Sequence, residues 1–328
     1  MSTASTTVPG AGPLAGSRSF LSRLRDGDEI ARLITFLFAA SVVLITVLLV
    51  YELWQGSSLP RHKFGFSFFH TSVWDPVFDQ FGALPFIYGT VVTSAVALLI
   101  AVPLGIGAAI FLAELAPLRL SDTLEFFIDL LAAVPSVIYG LLGIFIIVPL
   151  MRQVVQPQLK RFLGFLPLFQ GPAFGLGFLT AGVVLAIMII PYIISVSREI
   201  LLSVPRDQRE AALALGSTRW ESTWKVVVPF ARTGIIGSIF LALARALGET
   251  MAVTMVIGNT PIISGSLLSP GDSIASVIAS QFKEATGELY TQSLIELGLV
   301  LFLLTFILNG LARLMIVITS QRGGMVRA

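Results

Sequence analysis

Long apolar stretches, separated by short polar segments, dominate the chain. Hydropathy places six of them, each near or above the roughly 20 residues that an α-helix needs to cross a bilayer. Apolar stretches of this length satisfy their backbone hydrogen bonds internally only as helices, and the alternating pattern of a membrane β-barrel is absent. The sequence predicts an all-α, polytopic membrane protein with spans Leu33–Tyr51, Phe86–Leu115, Phe126–Pro149, Ala173–Ser197, Gly234–Ile257 and Leu294–Ile318.

The remaining sequence divides into a tail and loops. Residues 1–32 are rich in Ser, Thr, Ala, Gly and Pro and end in a short charged stretch, so we expect a disordered, charged N-terminal segment. Residues 33–328 form the predicted transmembrane domain, with its core at 86–318. We expect the last outer loop, Gly258 to Ser293, either to be solvated with a short interfacial helix or to meet a partner on that face.

The basic residues predict the orientation. With the N-terminus inside, the inner segments hold 14 Lys and Arg, the outer loops hold six, and Arg245 lies within a span. This asymmetry predicts that both termini are cytoplasmic. The net charge of +2 therefore reflects the membrane orientation, and we expect no nucleic-acid partner.

The chain has no cysteine, and its two histidines are a poor metal signature, so we expect no bound metal or cofactor.

The inner loop at residues 198–232 carries six basic residues and strong helix-end signals. Arg206 to Leu215 has helix-forming composition, and Gly216 stands where a left-handed residue ends many helices. Thr218 and Glu221 have the spacing of a capping box for a second helix, which would stop at Pro229. That helix would place Trp220, Trp224 and Val228 on one face. We expect two short helices joined by a sharp glycine turn.

The spacing within this loop resembles a known motif. Glu210-Ala211-Ala212, three residues, Gly216, nine residues and then Val226-x-Val228-Pro229 resemble the EAA loop of ABC importer permeases. The resemblance implies a type I ABC importer permease-like fold, in which this loop docks into a groove on a separate ATPase subunit. No lysine follows a glycine, so the chain has no Walker A loop. The resemblance thus implies a non-catalytic chain, with ATP and Mg²⁺ on the partner ATPase.

Charged residues also occur inside a predicted span. Arg245 lies near the middle of the fifth span, where an arginine costs at least about 2.5–3.5 kcal/mol. Glu249 follows one turn later, so a continuous helix places it on the same face, together with Gly234, Ser238 and Ala252. This small, polar face is suited to lining a passage, so we expect Arg245, Glu249 and Ser238 to lie along the substrate pathway. The guanidinium could attract an anion that crosses the membrane, with Glu249 neutralising it at rest, or the pair could be a structural ion pair. Phosphate, sulfate and carboxylates all remain open at this point.

Three longer segments narrow the possible identity of the transported anion. Leu243 to Asn259, Leu131 to Phe145, and GPAFGLG with the following LAIMIIPYI closely resemble permease subunits of phosphate-specific ABC importers. The resemblance implies a bacterial inner-membrane location and roles for Arg245 and Glu249 in phosphate passage. It also implies three kinds of partner: a second homologous permease, two ATPase subunits and an external phosphate-binding protein. Two alternatives stay open: an ion-coupled anion carrier or channel, and a phosphate-sensing membrane scaffold. We also expect Asp129, one turn into the third span, to pair with a basic residue on another helix.

Overall fold

The computed structural model describes residues 28–324, and these are helical with short connections. The chain divides between Glu52 and Leu53 into two compact units. The helices are α1 Asp28–Gly56, α2 Ser58–Phe64, α3 Ser67–His70, α4 Leu84–Leu115, α5 Leu118–Ala132, α6 Ser136–Leu163, α7 Phe178–Leu202, α8 Arg206–Ala214, α9 Arg219–Leu247, α10 Met251–Val256, α11 Ile274–Gln281 and α12 Glu288–Gly324. Most of the predicted disordered segment 1–32 lies outside the described residues, and residues 28–32 begin α1.

Six helices are long and apolar enough to cross a membrane, as the sequence predicts. They are α1, α4, α6, α7, α9 and the part of α12 up to Met315. The predicted bounds of α1, α4 and α12 are close to those observed. Those of the third and fifth spans are wrong, because each of these predicted helices contains a break.

The third predicted span, Phe126–Pro149, combines parts of two helices. α5 ends at Ala132, and α6 begins at Ser136 after an extended Pro135 with ψ 139°. The ring of Pro135 disfavours helical backbone at the preceding residue, and proline is favoured where a helix begins. α6 then continues to Leu163, so much of the predicted outer loop at residues 151–172 is helical.

Four wide π-helical turns share one relation to proline. Each ends two residues before a proline: Phe111–Leu115 before Pro117, Gly143–Ile147 before Pro149, Met151–Val155 before Pro157, and Thr223–Val227 before Pro229. Proline lacks the N–H that closes an α-helical turn, and its ring collides with the carbonyl four residues earlier. A wider turn moves that carbonyl aside, so α6 continues through Pro149 and Pro157, and α9 continues through Pro229.

Helix α7 lies at the centre of the second unit. Of its most apolar stretch of 18 residues, 61% is buried. α4 crosses it closely, because a Cβ added at Gly105 would lie 2.7 Å from Ile193 Cγ2. Gly140 and Gly143 lie against α10 in the same way, since a Cβ added at either would lie under 3.0 Å from a side chain of that helix. Gly107 has nothing within 4 Å. Small residues therefore set the spacing of α4, α6, α7 and α10.

The predicted last outer loop folds back into the bundle rather than lying in solvent. Its carbonyls at Leu267 and Ser269 accept hydrogen bonds from the Leu179 and Phe178 amides, at 2.8 and 3.2 Å. These amides belong to the first turn of α7 and have no partner within that helix. Residues 271–277, including the start of α11, are all buried. The loop thus supplies the cap of α7.

Asp272 is a buried carboxylate in this loop, outside the membrane-spanning helices. Its Oδ1 accepts a hydrogen bond from the Ser273 amide at 2.8 Å, and its Oδ2 has no hydrogen-bond partner among the described residues. Loss of water on burial raises the pKa of Asp272 to about 7, against opposing hydrogen bonds from Ser276 and Ser273. The folded protein therefore holds this proton more tightly than the unfolded chain does.

We expect Asp272→Asn to remove a pH dependence of stability. In the wild type, stability is fully present below about pH 4 and is lost as the pH rises to 7, because unfolding then releases a proton. At pH 8 the variant should be more stable by up to roughly 4 kcal/mol. Thermal unfolding of the purified protein between pH 5 and 8 measures this, with the exposed Asp79→Asn as control. Equal pH slopes in wild type and Asp272→Asn would contradict it.

Candidate functional site

The segment at residues 198–232, which we call the EAA loop, has the two helices that the sequence predicts. α8 ends in a glycine turn: Gly216 is left-handed, with φ 85°. Its amide donates to the Leu213 carbonyl at 3.0 Å, and the Ser217 amide donates to the Ala212 carbonyl at 3.2 Å. This pair of bonds is the Schellman motif, which satisfies the last carbonyls of the helix. The predicted helix end at Gly216 is confirmed.

The capping box at the start of α9 is also confirmed. The Glu221 amide donates to Thr218 Oγ1 at 3.2 Å, and the Thr218 amide donates to Glu221 Oε2 at 3.0 Å. The predicted stop at Pro229 is wrong, because the wide turn before Pro229 lets α9 run on to Leu247. The EAA loop is therefore built directly onto a membrane-spanning helix, and its second half is the first part of that helix.

The motif residues lie on the outside of this loop. Glu210, Ala211, Gly216 and Pro229 are exposed, and Ala212 is buried. Large apolar side chains beside them are exposed too: Leu213, Leu215, Trp220 and Trp224. The two tryptophan rings meet edge to face, with centroids 5.6 Å apart. Exposed aromatic and aliphatic side chains around a structured turn form a surface suited to binding another protein.

The structure corrects the predicted environment of Arg245 and Glu249. α9 ends at Leu247, and Glu249 lies in a break between α9 and α10 rather than on the helical face of Arg245. Its Oε1 accepts a hydrogen bond from the Ala252 amide at 3.2 Å, at the start of α10. No ion pair joins Glu249 to Arg245 within residues 28–324. The predicted resting pair is therefore wrong for this structure.

Arg245 itself is exposed and faces the middle of α7. Its guanidinium carbon lies 5.9 Å from the ring centroid of Tyr192, which is residue 15 of the 25 in α7. In the structure, Arg245 lies in the last turn of α9, two residues before that helix ends at Leu247. The predicted bounds of its span are therefore wrong, and its depth in the membrane stays a prediction.

Ser238, the third predicted pathway residue, lies two turns before Arg245 and is fully buried. Its hydroxyl and that of Ser197 are 2.7 Å apart, and it donates to the Ile235 carbonyl at 2.8 Å. A Cβ at Gly234 would lie 2.5 Å from Ile200, so the same face of α9 packs on α7 there too. Ser238 holds these two helices together in this structure, and its role in a pathway stays a prediction.

Two helix breaks come close together near Arg245. One separates α5 from α6 at residues 133–135, and the other separates α9 from α10 at residues 248–250. A Cβ at Gly140, in the first turns of α6, would lie 3.2 Å from the Ala252 Cα of α10, so the two helix starts are in contact. Helices interrupted within a membrane leave backbone groups free, and they are typical of sites where a solute passes.

The sequence analysis did not predict two ion pairs, each of which joins an arginine to a glutamate on another helix. Arg209 of α8 binds Glu114 of α4, and Arg198 of α7 binds Glu125 of α5. The partners are 95 and 73 residues apart, so no local spacing could reveal them. The only available signal was Glu114 itself, an acid at the edge of an apolar span. Asp129 does not pair with a basic residue as expected, because it accepts a hydrogen bond from Ser195 Oγ at 2.9 Å.

The described part of the chain holds no cluster of three or more His, Asp or Glu side chains that could bind a metal ion. Apart from Ser238, the predicted site residues fall at three features of the described chain: an exposed guanidinium at the end of α9, a capped break beside it, and the exposed EAA loop.

Comparison with known proteins identifies the family. Residues 101–316 match the family described as "Binding-protein-dependent transport system inner membrane component". The chain is 48% identical to the phosphate transport system permease protein PstC of Mesorhizobium japonicum, over 87% of this chain and 89% of that protein. It is 48% identical to PstC of Xylella fastidiosa, over 88% and 91%, and 39% identical to a probable PstC of Methanocaldococcus jannaschii, over 87% and 92%.

Solved structures support the same fold. A bacterial ABC transporter that imports the acidic polysaccharide alginate aligns with a TM-score of 0.57 at 17% identity, over 89% of this chain and 98% of that one. The MetNI methionine ABC transporter aligns with a TM-score of 0.53 at 15% identity, over 71% and 94%. With six membrane-capable helices and these relatives, the chain is a multi-pass inner-membrane protein that belongs to the PstC family of phosphate transport system permease proteins.

Proposed function

We propose that this chain is one permease subunit of an ATP-driven importer of inorganic phosphate. The observation that carries the proposal is Arg245, an exposed guanidinium beside two helix breaks with no carboxylate within 4.0 Å among residues 28–324. An unpaired positive charge at the end of an apolar helix, within a membrane protein, is unfavourable unless an anion or water reaches it. A guanidinium can donate two parallel hydrogen bonds to a phosphate oxyanion and stays charged throughout transport.

Tyr192 fits the same role. Its ring lies against the Arg245 guanidinium, which limits the directions in which that side chain can extend.

Glu249 has a different role from the one that a continuous helix predicts. Its carboxylate caps α10, so it fixes the break and keeps its negative charge away from Arg245. Phosphate would pass Arg245 without first displacing an internal carboxylate.

Energy for transport would come from a separate ATPase subunit bound at the EAA loop. An exposed apolar surface for this contact is provided by Leu213, Leu215, Trp220 and Trp224. The Schellman turn at Gly216 fixes the backbone conformation of the loop that carries these side chains. Glu210, Ala211, Ala212 and Pro229 complete the motif, and ATP and Mg²⁺ would bind to the ATPase. The chain performs no covalent step itself. The complex would contain a second homologous permease, two ATPases and an external phosphate-binding protein, with both termini and the EAA loop cytoplasmic.

Site-specific cross-linking tests the docking of the ATPase. The chain has no cysteine, so Leu215→Cys gives one reactive thiol beside the Gly216 turn. We expect a thiol-to-amine cross-linker to join this position to the ATPase subunit in membranes that contain the whole complex. Phe66→Cys, at a side chain that is 87% exposed between α2 and α3, is the matched control and should not capture the ATPase. Equal capture from both positions, or none from position 215, would overturn the proposed docking.

A further inference from the structure

Arg209 stands next to the motif residue Glu210 but points the other way. Glu210 is exposed, whereas the Arg209 side chain is only 20% exposed and reaches into the helix bundle. Its guanidinium binds the Glu114 carboxylate through Nη2, at 2.8 Å, and through Nε, at 3.1 Å. Glu114 is itself only 10% exposed. A two-point contact of this kind fixes distance and angle together, which a single contact does not.

The same guanidinium also binds the end of α7. Nη2 donates to the Leu201 carbonyl at 2.7 Å, and Nη1 donates to the Val204 carbonyl at 2.5 Å. The last carbonyls of a helix have no partner within it, and a positive charge is favourable there. One side chain of α8 therefore joins three elements: α8 itself, the end of α4 and the end of α7.

Glu114 lies in a part of α4 that is held from a second side. It belongs to the wide turn Phe111–Leu115, and Ser121 of α5 donates to the Leu112 carbonyl of that turn at 2.9 Å. Ser121 Oγ in turn accepts a hydrogen bond from Arg198 Nη2 at 3.2 Å. Arg209 therefore binds a turn of α4 that contacts with α5 and α7 already hold in place.

We infer that Arg209 is the positioning residue that makes α8 move as one body with α4 and α7. This inference rests on the proposed coupling at the EAA loop. A displacement of α8 by the ATPase would reach α4 through Glu114 and α7 through two backbone carbonyls. The exposed Glu210 has no comparable contact to the bundle in the described residues. Without Arg209, the ATPase would still dock and hydrolyse ATP, but the movement would stay in the loop.

The test measures phosphate transported per ATP hydrolysed by the reconstituted complex. We expect Arg209→Gln to lower this ratio by about tenfold while the ATPase stays bound and continues to hydrolyse ATP. Arg209→Lys keeps the charge but cannot hold the carboxylate and both carbonyls together, so its ratio should be intermediate. Arg119→Gln, at an exposed arginine near the start of α5, is the control and should leave the ratio unchanged.

A second variant separates mechanical joining from folding. With Arg209→Cys and Glu114→Cys combined, a short bis-maleimide, which adds one cysteine thiol across each of its two double bonds, can rejoin the two helices in a chain without other cysteines. We expect the reagent to restore the ratio in this double variant and in neither single variant. An unchanged ratio in Arg209→Gln, or a double variant that stays uncoupled after cross-linking, would overturn the inference. Failure of the wild-type complex to transport phosphate would instead overturn the proposed function.

Discussion

Gly89→Ala is expected to prevent the correct assembly of the bundle, because a Cβ at this position would lie 1.8 Å from the carbonyl oxygen of Asp272. The clashing atom belongs to the backbone, so no side-chain rotation can relieve the contact. The Phe178 ring, 3.2 Å from the same Cβ, closes another side. The segment that carries Asp272 also supplies the cap of α7 and the start of α11, so its displacement would expose several buried groups together.

The expected size of this effect is large for a single methyl group. Extra atoms in a well-packed core typically cost about 1–3 kcal/mol, and a clash with fixed backbone lies at or above the top of that range. Gly107→Ala is the matched control, because it lies in the same helix with nothing within 4 Å. There, alanine should stabilise the helix by up to about 1 kcal/mol.

Thermal unfolding of the two purified variants in detergent measures the difference. We expect Gly89→Ala to unfold at a much lower temperature than the wild type or to aggregate on size-exclusion chromatography, while Gly107→Ala behaves like the wild type or better. A Gly89→Ala protein with wild-type stability would show that the segment at residues 258–273 does not press against α4.

Arg245→Gln is expected to lower phosphate uptake by roughly 100-fold, equivalent to about 2.8 kcal/mol. Glutamine has no charge and cannot offer two parallel donors, so phosphate would lose its strongest partner. Because Arg245 makes no ion pair within residues 28–324, its removal leaves no buried carboxylate uncompensated there. The variant should therefore fold and bind the ATPase normally.

Two further variants separate charge from geometry. Arg245→Lys keeps the positive charge but not the fork of donors, so we expect an intermediate uptake. Arg161→Gln, at an exposed arginine in the last turn of α6, is the control and should transport like the wild type. Equal losses in Arg245→Gln and Arg161→Gln would indicate a general effect of positive charge rather than a site.

The sequence predicts those parts of this fold that depend on local signals. The number of spans follows from hydropathy, and the Gly216 turn and the Thr218–Glu221 capping box follow from residues within a few positions of one another. Each signal is a short-range hydrogen-bonding or steric preference, which tertiary contacts did not override.

The breaks in the third and fifth spans were not predictable from hydropathy, because averaging over about 20 residues lets the apolar residues on both sides of a break hide it. Pro135 and Gly248 are compatible with a kinked helix as well as with a break, and only contacts between α6 and α10 decide between them. The burial of residues 271–277 depends on a backbone contact with Gly89, nearly 200 residues away. Arg209 and Glu114 likewise meet only after α4, α7 and α8 are assembled.

ATP-driven uptake of labelled phosphate into vesicles that contain the reconstituted complex, with wild-type and Arg245→Gln permeases side by side, is the most direct measurement. We expect wild-type uptake to require both ATP and the ATPase subunit, and Arg245→Gln vesicles to hydrolyse ATP with almost no uptake. Wild-type uptake by Arg245→Gln would contradict a phosphate pathway past this residue. Phosphate movement down a proton gradient by the chain without an ATPase would indicate an ion-coupled carrier instead.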